Sequence, residues 1–341
     1  MFNKKDKYNI AIVGATGIVG ESLLDILKTR NFPYDNVFAV ASERSAGASV
    51  KFGKDLLKVS DIKKFDFKNI DFAFFSAGSS VSKEYAPKAA SEGAIVIDNT
   101  SEFRYVDDIP LIVPEVNPKD IRFYKNKNIV ANPNCSTIQM LVALKPIHDL
   151  FKIKRITVST YQAVSGSGKK GINELIEQTH SFMSQQELNN KVYPKNIAFN
   201  VIPFVDSFND NGFTREEMKM VWETNKILDK NIKVNATAAR VPVITGHSES
   251  VTIETENDID IKRVIDKYNS TEGIELIDNP KELTFPTAFS DGDGTDTVAI
   301  GRIRKDLDSD NILNIWVVAD NVRKGAALNS IQIAELIIRE E

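Results

Sequence analysis

Short apolar runs separated by helix-compatible sequence fill the first third of the chain. Residues 8–13 (Tyr8-Asn9-Ile10-Ala11-Ile12-Val13) are rich in Ile and Val, and residues 21–29 place Leu23, Leu24 and Leu27 on one face of a helix. The pattern recurs at 37–41, 71–76, 94–97 and 129–131, each run bounded by polar or turn residues, with helix-compatible sequence such as 82–92 between later pairs. Strands buried on both faces read as continuous apolar runs. This rhythm therefore predicts a parallel sheet covered on both sides by helices.

The pattern then changes. Runs at 156–163, 234–242, 248–254, 298–304 and 312–319 are longer, and several alternate polar with apolar residues. They predict a mostly antiparallel or mixed sheet with one face on helices. Long helices are expected at 136–151, 168–187 and 214–228, and a strongly amphipathic one at 324–339. The fold class expected is α/β: an N-terminal Rossmann-like parallel-sheet domain, then an α+β domain. No repeat, low-complexity tract or linker interrupts the 341 residues.

Composition narrows the partners. The chain is 42% hydrophobic and 26% charged, ordinary for a globular protein, and long enough to bury a large core. Its formal charge of −4 and lack of a long basic stretch argue against a nucleic-acid partner, and the cluster Lys4, Lys5, Lys7 reads as a solvated tail. One cysteine excludes an intrachain disulfide and fits a reducing compartment. The N-terminus lacks the apolar core of a signal peptide, and no apolar run approaches the ~20 residues that span a bilayer. A cytoplasmic protein without a membrane partner is expected. No motif asks for a metal.

The first candidate chemistry follows the first strand. Gly14-Ala15-Thr16-Gly17-Ile18-Val19-Gly20 is a G-x-x-G-x-x-G variant of the dinucleotide fingerprint. Gly14 permits the tight turn, Gly17 lets backbone approach a pyrophosphate, and Gly20 lets helix and strand pack closely. The helix N-terminus then offers N–H groups and a partial positive charge to phosphate. An ordinary tight βα turn is the plainer reading of the same glycines. At the end of the second strand, Ser42, Arg44 and Ser45 supply a cation and hydroxyls suited to a 2′-phosphate, which favours NADP over NAD. Glu43 would then point away and pair with a surface cation. Ser76-Ala77-Gly78, at the end of the third strand, keeps side chains small where a dinucleotide would pass.

The second candidate is Cys135, in Asn132-Pro133-Asn134-Cys135-Ser136-Thr137. A short strand precedes it and an apolar helix follows, so the thiol sits at a helix N-terminus, where the dipole favours a thiolate. The same N–H groups could stabilise a tetrahedral oxyanion. A lone cysteine is more commonly a small buried hydrophobe, but the polar flanks argue otherwise. A nucleophilic thiol needs a base. Of His148, His180 and His247, the last is preferred, because Gly246 beside it lets backbone come close to a ligand.

Taken together, these residues resemble the aspartate-semialdehyde dehydrogenase family over essentially the whole chain. The likeness is carried by the glycine loop, Ser101-Glu102-Phe103-Arg104, the Cys135 motif, the run from Arg240 to Gly246-His247-Ser248, and Asp320-Asn321-Val322-Arg323-Lys324-Gly325. The resemblance implies an NADP-binding domain of residues 1–131 completed by 324–341, and a catalytic and dimerisation domain of 132–323. It implies that Cys135 is the nucleophile, His247 the acid/base, and Gln162 the residue that orients the acyl intermediate. Arg240 would bind the substrate α-carboxylate as a bidentate fork. Arg104 and Lys219 would hold phosphate with Asn134 nearby, and Glu216 would meet the substrate amino group. Ser165, Gly166 and Asn321 would touch the nicotinamide.

Each has a plainer reading. Arg104 could be a loop cation, Gln162 a satisfied strand residue, and Glu216 with Lys219 a surface i,i+3 pair. The family's usual second cysteine, two residues before the arginine, is Ala238 here. The activity implied is NADPH-dependent reduction of L-4-aspartyl phosphate to the semialdehyde through a Cys135 thioester, in lysine, threonine and methionine synthesis. N-acetyl-γ-glutamyl-phosphate reductase and a non-catalytic NADP-binding sensor are the alternatives. A homodimer is implied, with association of two dimers left open.

Overall fold

The computed structural model describes residues 4–340 and divides into two compact units, Met1–Asn134 with Ala326–Glu341, and Cys135–Gly325. In the first unit β1 (Tyr8–Val13), β2 (Tyr34–Ala41), β5 (Ser60–Asp61), β6 (Phe72–Phe75), β7 (Ile95–Asp98) and β8 (Ile129–Ala131) form one sheet. Their order is β5-β2-β1-β6-β7-β8 and every neighbouring pair is parallel. β6 and β8 are buried at every position, as continuous apolar runs require. Helix α1 (Ile18–Thr29) packs Leu23, Leu24, Ile26 and Leu27 into this core, joined by Leu328, Ile331 and Ile337 of the C-terminal helix (Leu328–Glu340). Arg30 clamps that helix through two bonds to Glu335, of 3.0 and 2.8 Å. Helix α2 (Ser79–Ser91) starts at Gly78, whose φ of 97° suits glycine.

The second unit is built on β9 (Ile153–Gln162), β10 (Lys233–Arg240), β11 (His247–Thr255), β12 (Ile274–Leu276), β13 (Val298–Lys305) and β14 (Ile312–Ala319). Their order is β10-β9-β11-β14-β13-β12. The two edge pairs are parallel and the three inner pairs antiparallel, so the sheet is mixed. Its helices are α3 (Cys135–Phe151), α4 (Gly168–Met183), α5 (Arg215–Ile227) and α6 (Ile261–Asn269). On β11 the core face carries Glu249, Val251 and Ile253, while Ser250, Thr252 and Glu254 are half-exposed. That alternation is the half-covered sheet expected from the pattern. α3 is buried almost throughout because it lies against β11, β14, β13 and β9.

Differences from the sequence reading lie mainly at element ends. The helix expected over 168–187 stops at Met183, where Gln185 takes a φ of 55° and the chain turns back. The one expected over 324–339 is helical throughout, but its first turn, Arg323–Ala327, is π-helical and the α-helix begins at Leu328. A hairpin of β3 (Ser49–Phe52) and β4 (Asp55–Lys58) was not expected, nor was α6, which Asp260 caps by accepting from the Lys262 and Arg263 N–H groups. Among the described residues no helix is long and apolar enough to cross a membrane.

Candidate functional site

The glycine loop of the first unit is shaped by contacts that exclude side chains. Gly14 has a φ of 96°, and a Cβ there would stand 2.8 Å from the Ser76 carbonyl carbon and hydroxyl. A Cβ on Gly20 would stand 2.2 Å from the Gly14 carbonyl oxygen, so only glycine lets α1 pack this close to the turn. Gly17 is the N-cap, and its N–H bonds the Gly14 carbonyl at 3.0 Å. A glycine brings no side chain of its own over the helix start, and the cradle fits a dinucleotide pyrophosphate. At the end of β2 a short turn, Glu43–Ser45, places Ser42 before it and leaves Ser42, Arg44 and Ser45 exposed or nearly so. Glu43 points to Lys63, 3.1 Å away, and is thereby diverted from its neighbours.

Arg104 is buried, not a loose loop cation. Its Nε donates to the Asn132 carbonyl and one Nη to the Asn99 carbonyl, both at 2.9 Å. Asn132 joins Asn99 (3.1 Å) and receives Asn329 of the C-terminal helix (2.7 Å). This polar cluster fixes the segment that leads through Asn134, itself buried, toward the cysteine. Asn99, Asn329 and Ser330, which completes the cluster, gave no signal in the sequence because their partners are distant in the chain.

In the second unit Cys135 is the first residue of α3 and is partly exposed. Gly325 lies against it, since a Cβ there would stand 2.8 Å from that of Cys135. Asp320 holds the Gly325 loop by accepting from the Val322, Arg323 and Gly294 N–H groups, a role that the sequence did not reveal. Beside the cysteine, Ser136 lies 3.1 Å from the Gln162 Nε2, which is also 3.1 Å from Glu216 Oε1. Glu216 and Lys219 do form an i,i+3 pair (2.9 Å), but a buried one, which corrects the surface reading. Asp206 grips the same ammonium at 2.8 Å. Burial works against the Lys219 charge, yet Glu216 and Asp206 outweigh it and hold its pKa above the usual lysine value.

His247 and Arg240 are buried side by side. His247 Nδ1 accepts the Ala163 N–H at 3.0 Å, so the neutral ring carries its proton on Nε2, and that nitrogen has no partner. Burial, and next the Arg240 charge, push the imidazole pKa down to about 3 against the opposing pull of Glu216. Arg240 ends β10 and donates from one Nη to the Ala163 carbonyl at 2.8 Å, while its Nε is buried without a partner. Gly166 keeps the space between them open: a Cβ there would stand 2.8 Å from Arg240 Nη1 and 3.6 Å from His247 Nε2. Tyr193, unremarked in the sequence, turns its ring to the guanidinium, 6.0 Å away. Ser165 and Asn321 bond one another, with 2.9 Å from Asn321 Nδ2 to the hydroxyl, and Asn321 Oδ1 takes the Gly246 N–H at 2.9 Å. They brace the two loops that flank the site. His148 instead packs near Asp229, and His180 lies in the last turn of α4.

Comparison with known proteins gives two family matches. Residues 9–124 match the semialdehyde dehydrogenase NAD binding domain, and residues 144–324 the semialdehyde dehydrogenase dimerisation domain. The chain is 52% identical to an aspartate-semialdehyde dehydrogenase of Shewanella violacea, covering 98% of each. It is 53% identical to one of Legionella pneumophila, covering 97% of this chain and 96% of the other. Among solved structures, it superposes with a TM-score of 0.96 on aspartate semialdehyde dehydrogenase II of Vibrio cholerae, described as complexed with ASA, at 52% identity and covering 98% and 99%. The aspartate semialdehyde dehydrogenase of Candida albicans, described as with NADP, matches at 0.77 and 25% identity, covering 97% and 98%.

Proposed function

This chain belongs to the aspartate-semialdehyde dehydrogenase family, and we propose that it reduces L-4-aspartyl phosphate to L-aspartate 4-semialdehyde and phosphate through a thioester on Cys135. The observation that carries the reading is a pair of orphaned buried nitrogens, Arg240 Nε and His247 Nε2, with Gly166 leaving space between their side chains. Buried donors without partners are costly, and they mark where a ligand's acceptors belong. A carboxylate on Arg240 and a carbonyl oxygen near His247 describe a small amino-acid derivative.

The cysteine thiolate attacks the acyl phosphate carbonyl. The S–C bond forms, the C–O bond to phosphorus breaks, and phosphate leaves with its electron pair, taken up by the Lys219 and Arg104 cations. The Nε2–H of His247 is aimed to donate to the carbonyl oxygen as negative charge develops on it, because the Ala163 N–H fixes that tautomer. Glu216, which shares the Gln162 amide and the Lys219 ammonium, receives the substrate amino group. Gln162 holds the acyl carbonyl. The Gly14–Gly20 cradle with Ser76, Ala77 and Gly78, together with Ser42, Arg44 and Ser45, would hold NADPH, which would supply a hydride when bound. Collapse of the thiohemiacetal oxyanion, which the His247 Nε2–H would steady by a hydrogen bond, would break the C–S bond, return the thiolate and free the aldehyde with no proton left to place. The dimerisation-domain match supports a homodimer, and the proposed product would feed amino-acid synthesis.

The test is the reverse reaction: phosphate-dependent reduction of NADP by L-aspartate 4-semialdehyde, wild type beside Cys135→Ser, with NAD in parallel. Turnover that needs phosphate and is lost in the variant supports the substrate and the acyl-enzyme together. NADP binding without turnover overturns the substrate, and N-acetylglutamate semialdehyde would be tried next. Turnover with neither would leave a sensor.

A further inference from the structure

Beneath the site lies a buried acid that the proposed chemistry does not use. Glu249 follows His247 by two residues on β11 and so shares its face of the sheet. It is fully buried, and neither carboxyl oxygen has a hydrogen-bond partner. Its neighbours across the sheet are Thr160 on β9 and Val317 on β14, neither of them charged. From the helix layer the group that faces it is Gln139, whose amide pulls the carboxyl pKa down less than burial pushes it up.

Gln139 is equally buried and lies one helical turn beyond Cys135 on α3, on the same face of the helix. Its Nε2 donates to the His247 backbone carbonyl at 3.4 Å, and its Oε1 has no partner. Three acceptor oxygens thus lie buried without a protein partner in one layer, an arrangement that an ionised glutamate would worsen. One proton on Glu249 resolves it. A carboxylic acid and a carboxamide are self-complementary, the O–H donating to the amide oxygen and an amide N–H to the acid carbonyl.

We propose that Glu249 is a positioning residue: as an uncharged acid paired with the Gln139 carboxamide, it ties the helix that carries Cys135 to the strand that carries His247. The proposal rests on the catalytic roles assigned above to those two residues. An apolar side chain of similar volume would fill the layer and fold. It would leave Gln139 free to turn, and with it the His247 backbone.

Infrared difference spectroscopy between wild type and Glu249→Gln at neutral pH tests the proton directly. The carbonyl stretch of a protonated, buried carboxylic acid should appear in the wild type alone. In the semialdehyde assay Glu249→Gln, which keeps an amide donor and acceptor, should retain kcat within about threefold. Glu249→Met, with unchanged thermal midpoint and cofactor binding, should lose about 10- to 100-fold in kcat with little change in KM. A carboxylate band in place of the acid band, a fully active Glu249→Met, or a Glu249→Gln no better than Glu249→Met would each overturn the proposal. If Glu249→Met does not fold, the infrared band and the Gln variant still decide. A wild type with the acid band but no turnover would sink the reading of function and leave the acid–amide pair standing.

Discussion

The N–H of Ala163 points at Nδ1 of His247 from 3.0 Å, and this bond sets what the imidazole can do. A backbone N–H can only donate, so Nδ1 must be the acceptor and Nε2 the proton carrier of the neutral ring. In the proposed reaction the ring would therefore give a hydrogen bond from Nε2. Replacing it by alanine should lower kcat by about 10²- to 10⁴-fold with modest change in KM, read from steady-state kinetics.

The same burial makes His247 an acid-sensitive point in the fold. Its pKa is about 3 in the folded chain against an ordinary value of 6.5. Between those values the unfolded chain binds more protons than the folded one, so stability is fully present above pH 6.5 and drains as pH falls toward 3. The slope contributed by one such group is at most about 1.4 kcal/mol per pH unit. Urea midpoints at pH 7 and pH 4.5 should therefore converge for His247→Asn relative to wild type. An equal fall in both proteins would remove His247 as the cause.

Arg240→Lys should act on substrate rather than on cofactor. Lysine cannot present two parallel donors to a carboxylate while also bonding the Ala163 carbonyl, as Arg240 does at 2.8 Å. A loss of about 2 kcal/mol, or roughly 30-fold in kcat/KM for the semialdehyde, is expected from one charge-assisted bond. The KM for NADP should stay put. A matching rise in that KM would show that the arginine serves the cofactor.

Gly20→Ala should damage the first unit without touching the chemistry. The added Cβ would meet the Gly14 carbonyl at 2.2 Å and force α1 off the turn. Overpacking of this kind costs about 1–3 kcal/mol, seen as a lower thermal midpoint and weaker NADP binding by titration calorimetry. Iodoacetamide labelling of the single cysteine should continue at the wild-type rate.

Arg44→Ala reads out cofactor choice. With Glu43 drawn to Lys63 at 3.1 Å, Arg44 is the remaining charge in this turn, beside Ser42 and Ser45. Its loss should raise the KM for NADP about tenfold or more and leave that for NAD within twofold. Parallel losses with both cofactors would take the 2′-phosphate away from this turn.

What the sequence determined alone is whatever is written in local order. The run Tyr8–Val13, the glycines at 14, 17 and 20, and Cys135 at the first position of a helix are all short-range statements, and β1, the turn and α3 follow them. The same holds for the change from continuous to alternating apolar runs, which separates the parallel sheet from the mixed one. Element ends were less legible, because the turn at Gln185 rests on its N–H bond to the Phe182 carbonyl and the π-helical turn at Arg323–Ala327 on bonds to Asp320, which no periodicity of apolar residues announces.

Only the tertiary structure decided which polar side chains spend their bonds inside the protein and which are left reaching outward. Arg104, Ser165 and Asn321 are partly spent on backbone and on each other, Lys219 is shared between Glu216 and Asp206, and Arg240 and His247 keep a nitrogen in reserve. Residue type could not distinguish these cases. The partners of Asn321, Gln139 and Asp206 lie from 13 to 156 positions away in the chain, and burial, which sets the cost of an unmade bond, belongs to the folded whole.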